Sequence, residues 1–513
     1  MILQYYYFST ALILVFSIFF FIKPWSKSNS KNKPSNLPPS PPELPIIGHA
    51  HLLGKLPFRS FMSLAETYGD IMHIKLGEVH AFVVSSPEIA KEVLRTRDPL
   101  FADRATSLAT KIMWYNNIDI AFSPYNDYWR QMRKICIAEL LSAKIVRSFG
   151  SIRSDEISNL IKSIQSSAST GSVIDITKMI FKITSSITCR AAYGKVCRDR
   201  DALIDLMNES LVHTGGYMIA DLFPSSKLLN ILSWNKQRLL RIRGKVDMIL
   251  DSIINEHKDN LSSGITKGNG ESGNEDLVDV LLRLQEGGEL AFPIGNDNIK
   301  AIIYDMFAAA TETSSATLDW TMVELMRNPL VMRKVQAEVR QAFKHGNIMD
   351  EDEVGKLKYL KFVVKETLRI HPTTPLLVRA SREDSEVFGY FIPAKARVMV
   401  NNWAMGRNPK YFPNPESYIP ERFENNGIDF NGSNFEYLPF GAGKRMCPGM
   451  AFGLASVEVP LAQLLYHFDW KLPSGIRSID LNMTENPGIS APRKEHLYLL
   501  ATSYDPSNQK SFN

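Results

Sequence analysis

The sequence predicts one large, mainly α-helical domain with a small β-rich part (α+β). Apolar residues recur every three or four positions over residues 299–326, and residues 357–370 form a second helical segment that ends before Pro372. Two short, partly alternating apolar runs, residues 71–76 and 81–84, lie on either side of Gly77 and predict a hairpin. We expect a single core, because no internal repeat and no interior linker divides the 513 residues.

The composition excludes several classes of protein. The net charge is only +5 and the interior has no long basic run, which argues against a nucleic-acid partner. Apolar residues make up 44% of the chain and charged residues 22%, values typical of a globular protein. The four cysteines show no paired spacing, so a zinc site and a disulfide framework are both unsupported and a reducing compartment fits.

The N-terminus predicts an uncleaved transmembrane signal-anchor over residues 1–22. Residues 2–22 contain no charged side chain and, at about 1.5 Å per residue, can span a bilayer core of about 30 Å. A cleaved signal peptide is the alternative, but its apolar core would be shorter. Lysines follow the run and none precedes it, so the rest of the chain should face the cytosol. We expect a single-pass protein of the endoplasmic reticulum membrane.

A basic and proline-rich hinge is predicted over residues 23–48. Residues 37–48 read LPPSPPELPIIG, and their prolines exclude a continuing helix and stiffen the connection. A plain linker is the alternative interpretation. Residues 49–513 then form the folded domain.

A glycine-rich loop near the C-terminus contains one cysteine. It reads Pro439-Phe-Gly-Ala-Gly-Lys-Arg-Met-Cys-Pro-Gly449, and we expect its glycines to adopt backbone conformations that other residues avoid. Pro448 suits a first helical position and an apolar run follows, so Cys447 should lie at a helix N-terminus, where a thiolate is favoured. A buried, unreactive thiol is the structural alternative.

The spacing Phe440-x-x-Gly443-x-Arg445-x-Cys447-x-Gly449 resembles the heme-binding loop of the cytochrome P-450 monooxygenases. The resemblance implies a heme b bound in this loop, which includes Gly449, with Cys447 as the axial thiolate ligand of the iron. Arg445 would pair with a heme propionate and Phe440 would shield the sulfur. It also implies the cytochrome P-450 fold, a mostly helical prism with a small β-rich side, so that residues 49–513 are a heme-thiolate catalytic domain.

Other positions match further motifs of this family. Trp129 and Arg133 lie four apart on one helix face and match its propionate-binding Trp-x-x-x-Arg pattern, although by themselves they indicate only a solvated basic face. Arg379 matches the arginine of the family's Pro-Arg strand, whose proline is missing here. A buried ionic network of Glu366, Arg369 and Arg422 is implied by the segments Lys365-Glu-Thr-Leu-Arg369 and Pro420-Glu-Arg-Phe423.

The middle of the long helix resembles the family's oxygen-activation motif. In Ala308-Ala-Ala-Thr-Glu-Thr-Ser-Ser315 the resemblance assigns Glu312 as the acid and Thr313 as the alcohol. A mid-helix threonine that bonds back to a carbonyl one turn earlier is the structural alternative. Ala310 stands where the family usually has glycine, which should tighten the oxygen groove slightly.

The resemblance spans the chain and is greatest with plant microsomal A-type enzymes. It implies an NADPH- and O2-dependent monooxygenase that hydroxylates, cyclises or desaturates a small hydrophobic metabolite. Its electrons would come from NADPH-cytochrome P-450 reductase, with cytochrome b5 as a second candidate partner. A reductase-independent heme-thiolate isomerase or dehydratase and a membrane-tethered heme carrier remain alternatives.

The identity of the substrate is the most specific of these expectations. Residues 452–470 look most like plant enzymes of terpenoid and monoterpene indole alkaloid metabolism, and of the two we favour an indole alkaloid, with a sesquiterpene or diterpene as the alternative. Asp119 or Asp221 would pair with a protonated amine. An acid on the solvated surface is the simpler interpretation of either residue.

Overall fold

The computed structural model describes residues 36–263, 275–288, 290–343 and 351–505. The chain divides into two units, residues 1–37 and residues 38–513. The predicted membrane anchor and the basic part of the hinge lie outside the described residues. Among the helices that are described, none has both the length and the apolar composition needed to cross a bilayer.

The second unit is mainly helical with short strands, which confirms the predicted α+β class. Its helices are α1 (Pro57–Tyr68), α2 (Pro87–Lys91), α3 (Leu108–Met113), α4 (Asp127–Cys136), α5 (Ala143–Ser148), α6 (Gly150–Ser169), α7 (Ile176–Tyr193), α8 (Arg200–Leu211), α9 (Ile219–Leu222), α10 (Lys227–Leu232), α11 (Trp234–Ser262), α12 (Leu277–Gly287), α13 (Asn296–Arg327), α14 (Pro329–Ala342), α15 (Glu351–Val354), α16 (Lys358–Ile370), α17 (Asn402–Met405) and α18 (Met450–His467). Its strands are β1 (Ile71–Leu76), β2 (Val79–Val84), β3 (Ile174–Asp175), β4 (Leu376–Ala380), β5 (Ser385–Val387), β6 (Tyr390–Ile392), β7 (Arg397–Asn401), β8 (Phe468–Lys471) and β9 (Tyr498–Ser503).

Helix α13 runs through the core and contains the periodic segment predicted over residues 299–326. Most of its side chains are buried, because it packs against α7, α16 and α18 on different sides. Its N-terminus is capped where Gly295 N donates to Asn298 Oδ1 at 2.9 Å. A helix that is enclosed in this way has no purely polar face. Helix α13 is therefore the central element against which the neighbouring helices pack.

A four-stranded sheet with the order β1-β2-β7-β4 lies beside the helices. The predicted hairpin is confirmed, since β1 and β2 pair antiparallel with Ile71 opposite Val84. Gly77 turns the hairpin at φ +61°, and a Cβ atom there would lie 2.5 Å from the Leu222 carbonyl oxygen, so only glycine fits. Strand β7 is parallel to β2 and antiparallel to β4, which places Arg379 of β4 at the edge of the sheet.

The described part of the predicted hinge contains no helix between residues 36 and 48. Its backbone joins the sheet instead, because His73 N donates to the Pro39 carbonyl at 2.9 Å and His49 N donates to the Lys75 carbonyl at 2.7 Å. Residues 38–48 therefore belong to the second unit by their hydrogen bonds.

Glu366, Arg369 and Arg422 form one hydrogen-bonded network. Both Glu366 oxygens accept from Arg369, at 2.7 and 2.8 Å, and Oε1 also accepts from Arg422 Nε at 2.9 Å. Arg369 further donates to the carbonyls of Gly406 and Pro415 at 2.6 and 2.7 Å. The side chains of Glu366 and Arg369 have no exposed surface. The network thus attaches α16 to the irregular segment that leads to the cysteine loop.

Replacing Glu366 by glutamine should destabilise the protein by about 3–5 kcal/mol, because it leaves two guanidinium groups without their buried counter-charge. The measurement is the unfolding midpoint in denaturant or heat. Glu353→Gln is the control, since Glu353 pairs with Lys356 on the surface, where water screens the pair. Equal losses in the two variants would contradict the buried role.

Candidate active site

A cavity of about 380 Å³ lies between α13, strand β4 and the loop that precedes α18. Most of the predicted site residues line it. They are Glu312, Thr313, Arg133, Arg379, Phe440, Arg445, Cys447 and Gly449. Trp129 does not line the cavity, and the Glu366 network lies apart from it.

The loop of residues 439–449 holds Cys447 through specific backbone geometry. Gly441 and Gly443 have φ values of +70° and +71°, as expected for glycine. A Cβ at Gly443 would lie 2.1 Å from the Leu94 carbonyl oxygen, so no other residue fits there. The Cys447 N–H donates to the Phe440 carbonyl at 2.9 Å, which closes the loop. Gly449 differs from the prediction, because its φ of −94° is open to any residue.

The helix start also differs from the prediction. Helix α18 begins at Met450 with Gly449 as its N-cap, so Pro448 lies before the helix. The Cys447 thiol is exposed toward the cavity but otherwise enclosed by protein. Burial raises its pKa, and this effect outweighs the hydrogen bond from Gly449 N–H and the charge of Arg133, which both lower it. The prediction that position alone favours the thiolate is therefore wrong for the protein by itself.

Five arginines line the same cavity. Arg397 donates to the Gly216 carbonyl at 2.7 Å, and the other four, Arg104, Arg133, Arg379 and Arg445, form a cluster whose charges affect one another. The sequence does not predict Arg104, because its segment matches none of the family motifs found in this chain. Each guanidinium donates to main-chain carbonyl groups that lie outside its own helix, strand or loop. Arg104 donates to Ala121 and Val378 at 2.9 and 2.7 Å, Arg133 to Met446 at 2.5 Å, Arg379 to Ala442 at 3.3 Å and Arg445 to Ala102 at 2.7 Å.

The cluster carries buried positive charge. Burial, together with the charges of neighbouring arginines, lowers the pKa of Arg104 to about 10 and that of Arg445 to about 9. Burial and nearby arginines also lower the pKa of Arg379, whose Nε–H has no hydrogen-bond partner among the described residues. Such a group of donors fits an anion, since carboxylates pair with guanidinium in a planar, two-point geometry.

These residues fit a heme. A thiol and the four clustered guanidinium groups face one cavity, which supplies a soft ligand for iron and counter-charges for two propionates. Trp129 packs against two of these guanidinium groups. Its ring centre lies 4.2 Å from the guanidinium carbon of Arg445 and 5.3 Å from that of Arg133, and its Nε1–H donates to the Ile120 carbonyl at 2.9 Å. The indole donor is thus already used within the protein.

Helix α13 brings its acid and alcohol to the cavity. Thr313 is half-buried, and its hydroxyl donates to the Ala309 carbonyl at 2.8 Å, the back-bonded arrangement that was the structural alternative. Glu312 Oε1 accepts from Ser490 Oγ at 3.0 Å, whereas Oε2 has no partner among the described residues. Burial raises the pKa of Glu312 to about 7. Ala310 also lines the cavity, so its methyl group takes up space there that a glycine would leave open.

The two acids considered for an amine substrate both accept backbone hydrogen bonds within the protein. Asp119 Oδ2 accepts from the backbone N–H groups of Ala121 and Phe122 at 3.0 and 2.9 Å. Asp221 Oδ1 accepts from Leu108 N, the first residue of α3, at 2.6 Å. Both acids are buried and neither lines the cavity, so the solvated-surface interpretation is wrong as well. They hold the loops that form the cavity wall.

Comparison with known proteins assigns the chain to a family. The cytochrome P-450 family profile matches residues 38–500. The chain belongs to the cytochrome P-450 family. It is 54% identical over 506 residues to the premnaspirodiene oxygenase of Hyoscyamus muticus, covering 98% of this chain and all of that protein. It is 53% identical over 506 residues to the 5-epiaristolochene 1,3-dihydroxylase of Nicotiana tabacum, again over 98% of this chain and all of the relative.

Membership confirms the family resemblance and the class of enzyme. This cytochrome P-450 is a monooxygenase that uses heme-thiolate iron, and its electrons come from NADPH through a reductase. Its substrate is a small hydrophobic molecule. The alternatives of a heme carrier and a reductase-independent isomerase are not supported.

Replacing Glu312 by glutamine should stabilise the protein more at about pH 8 than at about pH 5. The pKa of Glu312 is about 7 in the folded protein, above its ordinary value of 4.5. Ionisation of the carboxyl therefore destabilises the folded state progressively as the pH rises between these two pKa values, and the full destabilisation is present above the higher one. The gain on substitution should reach about 3 kcal/mol at the higher pH and nearly vanish at the lower one. Unfolding midpoints at both pH values test this, with exposed Glu383→Gln as the control. An equal effect of Glu312→Gln at both would contradict the raised pKa.

Proposed function

We propose that this cytochrome P-450 oxidises a terpenoid, most specifically a sesquiterpene hydrocarbon. The observation that carries the proposal is the near-complete alignment, at 53–54% identity, with two enzymes named for premnaspirodiene and 5-epiaristolochene. Both compounds are sesquiterpenes. The earlier preference for a monoterpene indole alkaloid has no support among these relatives, and the terpenoid alternative replaces it.

The cavity wall supports a hydrocarbon substrate. Away from Cys447 it is built mainly from apolar side chains contributed by several elements: Ile120, Phe122, Leu211, Met306, Leu377 and Met399. A rigid apolar ligand gains from leaving water and needs few polar contacts. Asp119 and Asp221 accept backbone hydrogen bonds and lie outside the cavity lining, so neither is placed to pair with a protonated amine.

Cys447 would ligate the heme iron, and Arg104, Arg133, Arg379 and Arg445 would pair with the propionates. Bound heme supplies the activation of O2, which a thiolate ligand promotes by donating electron density to iron. Phe440 lines the cavity beside the sulfur and limits the approach of water. Trp129 would act as a positioning residue through the two guanidinium groups that lie on its ring.

Thr313 and Glu312 would deliver protons to the same cavity. The bond from Thr313 Oγ1 to the Ala309 carbonyl fixes the hydroxyl on the cavity side of α13. Glu312, with a pKa of about 7, exchanges a proton readily near neutral pH. Ser490 donates to one of its oxygens, and the other has no hydrogen-bond partner among the residues that the structure describes.

The cellular setting is also a proposal. The apolar run of residues 2–22 supports a single-pass anchor in the endoplasmic reticulum membrane with the second unit in the cytosol. Exposed basic side chains at Arg130, Lys134 and Lys444 would contact the reductase and, in the same way, cytochrome b5. Arg130 pairs with Asp127, so Lys134 and Lys444 should contribute more.

Reductase-coupled incubation with 5-epiaristolochene, premnaspirodiene and pooled indole alkaloids tests the function. We expect a sesquiterpene to gain oxygen by mass spectrometry, only when NADPH and reductase are both present. The Cys447→Ala variant should lose this activity together with the thiolate-type band of the reduced, carbon monoxide-bound protein. Consumption of alkaloids but not sesquiterpenes would overturn the substrate class, and product without reductase would overturn the reaction.

Replacing Thr313 by alanine should leave substrate binding intact but waste electrons. Without its hydroxyl, proton delivery in the cavity fails more often, so product per NADPH should fall, by up to the roughly 100-fold that a positioned proton donor contributes. Hydrogen peroxide released per NADPH is the direct measurement. Thr321→Ala is the control, because Thr321 makes the same type of back-bond to Thr317, at 2.7 Å, but does not line the cavity. The same leakage in both variants would assign Thr313 a purely structural role.

A further inference from the structure

Two buried cysteines outside the cavity lie side by side. Cys189 is near the C-terminal end of α7, and Cys197 is in the loop that joins α7 to α8. Their Sγ atoms are 3.9 Å apart. The separation of eight residues matches none of the cysteine spacings that indicate a paired site, so the sequence alone does not reveal the pair.

The backbone brings the two thiols together. Helix α7 ends at Tyr193, and Gly194 takes the left-handed conformation with φ +73°, which turns the chain back along the helix it has just left. Arg200, the first residue of α8, then donates to Ser186 Oγ at 2.7 Å and fixes the return. The loop of residues 194–199 is therefore anchored so that Cys197 faces Cys189.

The two thiols are chemically unequal. The pKa of Cys197 is lowered, mainly by its hydrogen bond with the Cys189 thiol and also by the charge of Arg200. The same hydrogen bond and burial raise the pKa of Cys189. Cys136 offers a contrast, because burial raises its pKa to about 12 and it has no second thiol as a hydrogen-bond partner.

Cys197 is also the thiol that local motion can expose. Its neighbours Val196 and Arg198 are both exposed, and the loop is held mainly at its ends. Opening such a short surface segment requires far less free energy than unfolding the helix that carries Cys189. A small oxidant would therefore meet Cys197 first.

We propose that Cys189 and Cys197 form a dithiol that hydrogen peroxide oxidises reversibly to a disulfide. The Cys197 thiolate attacks one peroxide oxygen, the O–O bond breaks, and a sulfenic acid and one water form once the released hydroxide is protonated. The Cys189 sulfur then attacks the sulfenic sulfur, its proton leaves with the hydroxyl group as a second water, and the S–S bond forms. Two thiols and one peroxide give one disulfide and two waters.

The position of the site gives this reaction a consequence. The disulfide would attach the loop and the start of α8 covalently to α7, and Leu211 at the other end of α8 lines the cavity. A monooxygenase releases peroxide when electrons from NADPH reduce O2 without oxidising the substrate. This source of peroxide rests on the proposed function, whereas the reactivity of the two thiols does not. In a reducing compartment the bond would be transient.

The test treats the full-length, heme-loaded protein with hydrogen peroxide in the absence of NADPH, then alkylates free thiols and maps peptides by mass spectrometry. We expect a Cys189–Cys197 link that lacks two hydrogen atoms and disappears with dithiothreitol. Cys136→Ser should behave like the unchanged protein, and Cys189→Ser and Cys197→Ser should show no link. If a serine variant lacks the carbon monoxide spectrum of folded protein, the alanine variant replaces it.

Several outcomes would overturn the proposal: both thiols still alkylated after peroxide, Cys197 oxidised to a sulfinic acid with Cys189 unchanged, or a link to a different cysteine. Amide hydrogen exchange over residues 195–211 gives the second measurement. It should slow on oxidation of the unchanged protein and not in Cys197→Ser. Exchange that is unaffected by a formed disulfide would overturn the constraint on α8.

Discussion

Buried positive charge around one cavity is the constraint on which the rest of this structure depends. Burying a guanidinium group is costly unless its charge is matched and its N–H groups are bonded. Here four of them are held largely by neutral carbonyls, and the Arg379 Nε–H has no hydrogen-bond partner in the part of the chain that the structure describes. The folded protein therefore contains a site that an anionic cofactor stabilises, and cofactor binding contributes directly to the stability of the fold.

The same four side chains organise the chain around the cavity. Arg104 joins two segments through the carbonyls of Ala121 and Val378, and Arg445 reaches back to the carbonyl of Ala102. The loop that carries the cavity-facing side chains Ile120 and Phe122 is thus positioned by the residues that would bind the propionates. Loss of the cofactor should loosen the substrate wall together with the propionate site.

The four cysteines show how surroundings divide one residue type among different uses. Cys447 faces a cavity and burial raises its pKa, whereas coordination to a metal ion would deprotonate the thiol. Cys136 is enclosed and inert, and Cys189 and Cys197 modify each other's pKa through one contact. The spacing between the cysteines distinguishes none of these situations, and only the loop motif around Cys447 sets that residue apart in the sequence.

The sequence by itself determined the parts that depend on local periodicity and on a fixed motif. The existence and approximate position of α13 and α16, the hairpin of β1 and β2, and the placement of Arg445, Cys447 and Thr313 on one cavity follow from spacing and from the family pattern. Tertiary structure decided the rest, because burial and long-range contacts set it. Asp221 caps Leu108 from 113 residues away, and the Trp129 indole bonds to a carbonyl rather than facing the cavity. Arg104 joins the cluster only through folding, and the Cys447 pKa is governed by desolvation, a quantity that no local pattern contains.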